Sequence, residues 1–343
     1  MNRTATPPHT PPHTLPHTPP HEVIWELSNA IVVSRSLHVV AELGVADHIG
    51  DTPVSAESLA AACGAVPDAL DRVLRLLATR GVFRRDAHGY RHTEASQLLR
   101  GDHPRSMRAF ARLNGLPGVS GTFAAFEHAV RTGSPALEAV DPKGFWHYLQ
   151  DHPDEAAVFE QAMTAKAHAD VAAVLDVYDF ARHRRIADVA GGHGHLIRAV
   201  LAAYPDTTGV LFELPAVAAE VPPTPRLDVV AGDFFADPLP GCDAYLLMNI
   251  VHDWDDADAA AILTAVAEAG RPSRATVLLV ETLLPESPEP HWATTLDVLM
   301  LAVTGGRERT TAEYQRLLDL AGIDLVRTFP TATPFSIVEG RLR

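Results

Sequence analysis

The second half of the chain does most to constrain its fold. After Arg185, short apolar runs alternate with stretches of helical pattern: IADVA, HLIRAVLAAYP, GVLFEL, VVAGD, AYLLMNIV, an alanine-rich run over 257–269, and VLLVE. Runs that are apolar at every position belong to strands buried on both faces. Strands of that kind separated by helices give an α/β fold with a doubly wound parallel sheet. IDLVRTF and FSIVEGR close the chain as two more strands. In such a sheet ligands sit in the crevice beyond the carboxyl ends of the strands, so the residues that follow each strand are the candidates for chemistry.

At 343 residues the chain is long for one compact domain, and two folding units are expected. Residues 1–21 are a run of Pro, His and Thr with almost nothing to bury, so disorder is expected there. His9, His13, His17 and His21 recur every fourth residue, which allows loose metal binding but is read as a solvated tail with no catalytic role. Residues 22–104 form the next unit. Ile24, Leu27, Ile31, Leu37, Val40 and Leu43 suggest one or two amphipathic or largely buried helices. Ser55 caps a short helix that runs to Ala62, Gly64 turns the chain, and Pro67 opens a helix with Leu70, Val73, Leu74, Leu77 and Val82 on one face. FRRDAHGYRHT then reads as two short strands around a turn, which completes a winged helix. Residues 105–180 read as several helices, broken at Pro117, Gly133, Pro135 and Pro153, that link the units and contribute to a substrate pocket. Residues 181–343, which hold the alternating strands and helices, are expected to form the domain that binds a ligand at the sheet and carries any chemistry.

A winged helix invites a DNA-binding reading, and a ligand-sensing regulator is the alternative of a different class. The helix that would enter the groove carries Asp68, Asp71, Arg72 and Arg75, the mixed charge of a solvated face. With 28 Lys+Arg against 43 Asp+Glu, the net charge is -15, which repels a phosphate backbone. Nucleic acid is therefore not an expected partner, and the module is expected to build a dimer or a pocket wall. No apolar run is long enough to suggest a membrane partner. Cys63 and Cys242 form no close pair for zinc, and the N-terminus lacks the apolar core of a secretory signal; a reducing cytoplasm fits both facts.

Three segments lie where the crevice should be. Asp188-Val-Ala-Gly-Gly-His-Gly194 leaves the first strand and enters a helix, the setting in which Gly191, Gly192 and Gly194 let backbone approach a ligand closely. It lacks the glycine spacing of nicotinamide enzymes and the Lys-Ser/Thr ending of a P-loop, which leaves another nucleoside cofactor. Glu213 ends the second strand in LFELP, about 20 residues beyond the loop, where a carboxylate can accept both ribose hydroxyls; helix capping is its other reading. Gly232-Asp233-Phe234-Phe235 offers an acceptor for an exocyclic amine beside a ring for stacking, although Phe235 can equally be core. Asn249-Ile-Val-His252-Asp253-Trp254-Asp255-Asp256 leaves a further strand, and His252 by itself reads as structural as readily as catalytic. The acids Asp253, Asp255, Asp256 and Asp258 could suggest magnesium, but a helix begins here and its N-terminus accounts for them, so no metal is expected.

Taken in order, the winged helix, FWHYLQDHPDEAAVFEQAM over 145–163, DVAGGHG, FELP, GDFF, HDWDD and GGRERT resemble the small-molecule O-methyltransferases of the caffeic acid O-methyltransferase type, which are also found in antibiotic pathways. The resemblance covers nearly everything after the tail. It implies a seven-stranded Rossmann-like methyltransferase sheet, a homodimer formed through the N-terminal helical domain, and S-adenosyl-L-methionine as cofactor, with S-adenosyl-L-homocysteine as product. The cofactor would be held by Asp188, Gly191, Gly192, Gly194, Glu213, Leu214, Asp233, Phe234, Asn249 and Trp254. His252 becomes the base that takes the proton of a hydroxyl on a small aromatic substrate, and Glu281 and Glu308 match the two acids that flank it. Trp146, Phe159, Met163, Asn249 and Met300 are implied as lining of the substrate pocket. The chain departs from the common pattern at Ala190, where glycine is usual, and at Met248, where many plant members have lysine. Relatives of this architecture can also act as hydroxylases or decarboxylases on polyketide-like substrates, and an N- or C-methyltransferase would need less help from a base. His252 with both acids favours transfer to a hydroxyl.

Overall fold

A computed structural model describes residues 19–287 and 290–343, with backbone alone at 168 and 169. The expected disorder of the tail and three of its four histidines lie outside the described residues. Its end does not: the first helix is Pro20–Ser28, so His21 is helical rather than part of the tail. Pro20 suits a first helical position because that residue's N–H would have no partner in any case. The chain divides into two compact units that meet between Gln97 and Leu98, so the helices between 105 and 180 belong to the second.

In the first unit, the helices Ala30–Glu42, Ala56–Cys63 and Pro67–Thr79 are followed by a hairpin of β1 (Phe83–Asp86) and β2 (Gly89–His92). Ser55 caps the second of these helices through the Ser58 N–H. Leu70, Leu74 and Leu77 of the third are buried together with Phe83 and Tyr90 of the hairpin. Its outer face pairs Asp68 with Arg72 and Asp71 with Arg75, so those arginines are already matched by acids. The expected burial at the N-terminus holds only in part. Val40 is buried, but Ile24, Leu27 and Ile31, with Trp25 and Val32, are exposed, because none of the described residues covers them. An apolar face of this kind marks a docking surface.

The second unit is built on a sheet of seven strands among the described residues: β3 (Arg185–Val189), β4 (Thr208–Glu213), β5 (Leu227–Ala231), β6 (Ala244–Met248), β7 (Thr276–Thr282), β8 (Ile323–Pro330) and β9 (Phe335–Leu342). Their order is β5-β4-β3-β6-β7-β9-β8, with β9 antiparallel to both of its neighbours and the remaining pairs parallel. Alternate residues supply opposite faces. Tyr245, Leu247, Val277 and Leu279 pack beneath the helices Asp256–Gly270 and Thr311–Leu320, while Ala244, Leu246, Leu278 and Val280 pack beneath Pro153–Val177 and His195–Ala203. This two-sided burial is why the strands read as apolar throughout. The strand order reverses between β3 and β6, and the loops that follow these two strands border the crevice at that switch point.

Candidate active site

The loop after β3 is made by its small residues. Asp188 lies beneath it, 1% exposed, with Oδ2 accepting the Ile197 N–H and Oδ1 unpartnered. A Cβ at Gly191 would stand 2.4 Å from the Asp188 carboxyl carbon, so only glycine lets the turn close over this acid. Burial raises the Asp188 pKa to about 7. Ala190 adopts φ 55, the left-handed conformation in which glycine is at ease, so the alanine here is held at some cost in strain. Gly194 precedes the helix His195–Ala203. At the end of β4, Glu213 accepts the Gly192 N–H at 2.9 Å and the Leu214 N–H at 2.8 Å, which ties the two loops together. Burial raises its pKa despite these two donors.

Asp233 turns the chain after β5, with Oδ1 accepting the Phe235 N–H. Beside it Phe234, Phe235 and Trp254 meet edge to face, with Phe235 and Trp254 centred 4.8 Å apart. Phe235 is 44% exposed and is not core. Asn249, directly after β6, adopts φ 56 and keeps a buried Oδ1 without a partner. A glycine cradle, a carboxylate one strand along, an aromatic wall and an orphaned amide oxygen around one crevice fit a nucleoside that carries an amino-acid tail.

His252 lies in the short 3-10 turn Val251–Asp253 and is 5% exposed. Its Nδ1 is 2.6 Å from Glu308 Oε1 and 3.9 Å from Glu281 Oε2. With the carboxylate ionised, Nδ1 carries the proton and donates it, which leaves the lone pair on Nε2. Glu281, at the end of β7, uses Oε1 to accept the N–H groups of Ile250 and Val251, so it holds the turn as well as facing the ring. Burial raises Glu281 to about 7 and Glu308 to about 8. Two supports of this arrangement carried no assignment in the sequence. Asp297 accepts the Glu308 N–H, and the buried Arg309 donates to the carbonyls of Val251 and Trp254 and to Asp256.

One expectation is corrected. The helix Asp256–Gly270 accounts for three of the four acids: Asp255 caps it through the N–H groups of Ala257 and Asp258, and Asp256 and Asp258 lie in its first turn. Asp253 lies before the cap, with Oδ1 3.7 Å from His252 Nε2, and burial raises its pKa to about 7. The run HDWDD conceals this difference, because four nearby acids all suit a helix start.

Trp146 and Phe159 meet edge to face with Phe145, and this cluster packs against Leu137, Ala302 and Val303. Met163 is partly buried on the helix that carries Phe159, and Met300 is buried on the helix Trp292–Val303. The structure therefore brings Trp146 and Phe159 together. Lys166 follows Met163 on the same helix and was missed in the sequence, where a lone lysine in an amphipathic helix reads as solvated.

A family model described as an O-methyltransferase domain matches residues 123–324, and one described as an O-methyltransferase dimerisation domain matches residues 25–102. The chain belongs to the O-methyltransferase family. Phenazine O-methyltransferase PhzM of Lysobacter antibioticus is 36% identical over 93% of this chain and 95% of its own. The 2,7-dihydroxy-5-methyl-1-naphthoate 7-O-methyltransferase of Streptomyces carzinostaticus is 38% identical over 90% of this chain and 94% of its own. The structure of CalO1, a methyltransferase in calicheamicin biosynthesis, in its SAH-bound form superposes with a TM-score of 0.84 at 30% identity, covering 96% of this chain and all of that one. The O-methyltransferase uses S-adenosyl-L-methionine as its donor, and the apolar face of its first unit, Ile24 apart, falls within the dimerisation domain. No helix among its described residues is long and apolar enough to cross a membrane.

Proposed function

We propose that this O-methyltransferase methylates a phenolic hydroxyl of a small aromatic secondary metabolite, with His252 as general base and Glu281 and Glu308 as its supports. The observation that carries the proposal is the 2.6 Å contact between His252 Nδ1 and Glu308; with Glu308 ionised, that contact favours the proton on Nδ1 and the lone pair on Nε2. A phenol titrates near ~10 and an imidazole near ~6.5, so Nε2 takes the proton as the oxygen attacks rather than beforehand. When bound, S-adenosyl-L-methionine supplies a methyl group on a positively charged sulfur. Asp188 shapes the cradle from below, Gly191, Gly192 and Gly194 give it close backbone, and Glu213 with Leu214 holds the ribose. Asp233, Phe234 and Trp254 hold the adenine, and Asn249 offers its free oxygen to polar groups between donor and acceptor. Trp146, Phe159, Met163 and Met300 give the acceptor ring an apolar bed. Glu308 stabilises the imidazolium that forms and Glu281 keeps the turn in place, and this intact triad speaks for methyl transfer over hydroxylation or decarboxylation.

The unit over 25–102 and its uncovered apolar helices support a homodimer, and two free cysteines are consistent with the cytoplasm. The test replaces His252 by Ala and follows release of S-adenosyl-L-homocysteine with a panel of hydroxylated aromatics. A loss of about 10²–10⁴-fold is expected, with product-cofactor binding unchanged by calorimetry. Unchanged turnover would remove the base.

A further inference from the structure

We propose that Lys166 selects the acceptor by reading a carboxylate on the aromatic substrate. This rests on the assignment of the His252 crevice as the site of methyl transfer.

Phe159, Met163 and Lys166 follow one another at helical spacing on Pro153–Val177, so the lysine continues the face that offers the acceptor ring its apolar contacts. Its Nζ lies 4.8 Å from the centre of the Phe335 ring. Phe335 opens β9 opposite Thr282, and the next pair in the register is Ser336 with Glu281. The ammonium therefore stands at the strand end that carries one of the acids facing His252. Its charge is felt by Asp253, Glu281 and Glu308, the three acids around the imidazole, and by Asp170 one turn along its own helix.

None of these groups satisfies it. Lys166 makes no hydrogen bond or ion pair with any described residue, although an ammonium carries three donors. Withdrawal from water already lowers its pKa, which is the mark of a cation short of acceptors. Asp170 is itself buried with a raised pKa and is engaged by Thr333. Glu308 is committed to His252 Nδ1, Glu281 to the N–H groups of Ile250 and Val251, and Asp253 faces His252 Nε2, so these acids are turned to the imidazole and its turn and not to the ammonium. A carboxylate on the incoming ring supplies both the missing charge and the missing acceptor oxygens. With the apolar bed holding the ring and Lys166 holding one substituent, the hydroxyl presented to His252 Nε2 is determined by its position relative to that carboxylate.

The experiment measures binding to the protein loaded with S-adenosyl-L-homocysteine. The probes are hydroxylated benzene, naphthalene and phenazine carboxylates, each paired with its methyl ester. The native protein is expected to favour acid over ester by at least about tenfold in one ring series, K166M to bring that ratio to within about twofold, and K166R to keep most of it. In the same series the acid-to-ester ratio of kcat/KM is expected to follow, while unchanged thermal melting shows that the fold is intact. Three results would overturn the proposal: no acid preference in the native protein, a preference that survives K166M, or a loss of cofactor affinity in K166M with the ratio intact. The last would assign the ammonium to the amino-acid carboxylate of the cofactor. Failure of the underlying site assignment is read separately, as absence of methyl transfer to any probe, esters included.

Discussion

Replacing Glu308 by Gln isolates the charge beside the base. The amide keeps an oxygen able to accept from His252 Nδ1, so ring orientation and tautomer survive while the negative charge is lost. The native contact is 2.6 Å and buried. A hydrogen bond to a charged partner contributes about 1.5–3 kcal/mol and a neutral one about 0.5–1.5, so removing only the charge costs about 1–1.5 kcal/mol, which at 1.36 kcal/mol per decade is roughly 5–13-fold in rate. The effect should fall on kcat and on kcat/KM for the acceptor, because the imidazolium exists only as the proton moves; KM for the methyl donor should not change. The pH profile adds a second reading. Burial holds Glu308 near about 8, and its ionised form is the one that keeps the proton on Nδ1, so the native rate climbs as pH rises through that region. In E308Q that climb is expected to disappear. Initial rates of S-adenosyl-L-homocysteine release between about pH 6 and 9 decide the matter. A variant within about threefold of the native rate, with the climb intact, would refute the assignment of Glu308 as the charge behind the base.

Two further outcomes are expected. In G306A the new Cβ would stand 2.0 Å from the His252 carbonyl oxygen and 2.4 Å from the Asp253 carbonyl carbon, which forces the turn aside; a displacement near ~1 Å costs about 10²-fold in rate, so activity falls by that order while circular dichroism stays native, and native activity would refute the close packing. Asp188, Asp253 and Glu281 are raised to about 7 and Glu308 to about 8, so the folded chain holds protons that the unfolded chain has released. This contribution to stability is complete below the ordinary carboxylate range and is lost as pH rises through those values. The cofactor-free protein should therefore melt at lower temperature at pH ~8.5 than at pH ~5.5, and a higher melting point at the alkaline end in differential scanning fluorimetry would contradict it.

The sheet was readable because β3, β4, β6 and β7 are buried on both faces and so are apolar along most of their length. Position at or just beyond a strand's carboxyl end likewise singled out Asp188, Glu213, Asp233 and His252. Side chains whose neighbours come from distant segments were not readable. Asp253 differs from Asp255 only in where the helix starts, and two residues of shift exchange a buried acid for a cap. Arg309 was quoted within GGRERT but given no role, since its carbonyl partners lie more than 50 residues earlier. Ile24, Leu27 and Ile31 form a good amphipathic pattern, yet periodicity says only that a face wants covering and not that the same chain covers it.

The turn that carries His252 is fastened on every side. Glu281 takes the amides of Ile250 and Val251, Arg309 binds the carbonyls of Val251 and Trp254, the Arg307 N–H donates to the His252 carbonyl at 2.8 Å, and Glu308 fixes the ring. The consequence concerns entropy. With His252 as the proposed base, little freedom remains for the imidazole to surrender when the reactants arrive, which leaves the barrier to the movement of a proton and a methyl group rather than to the assembly of a base.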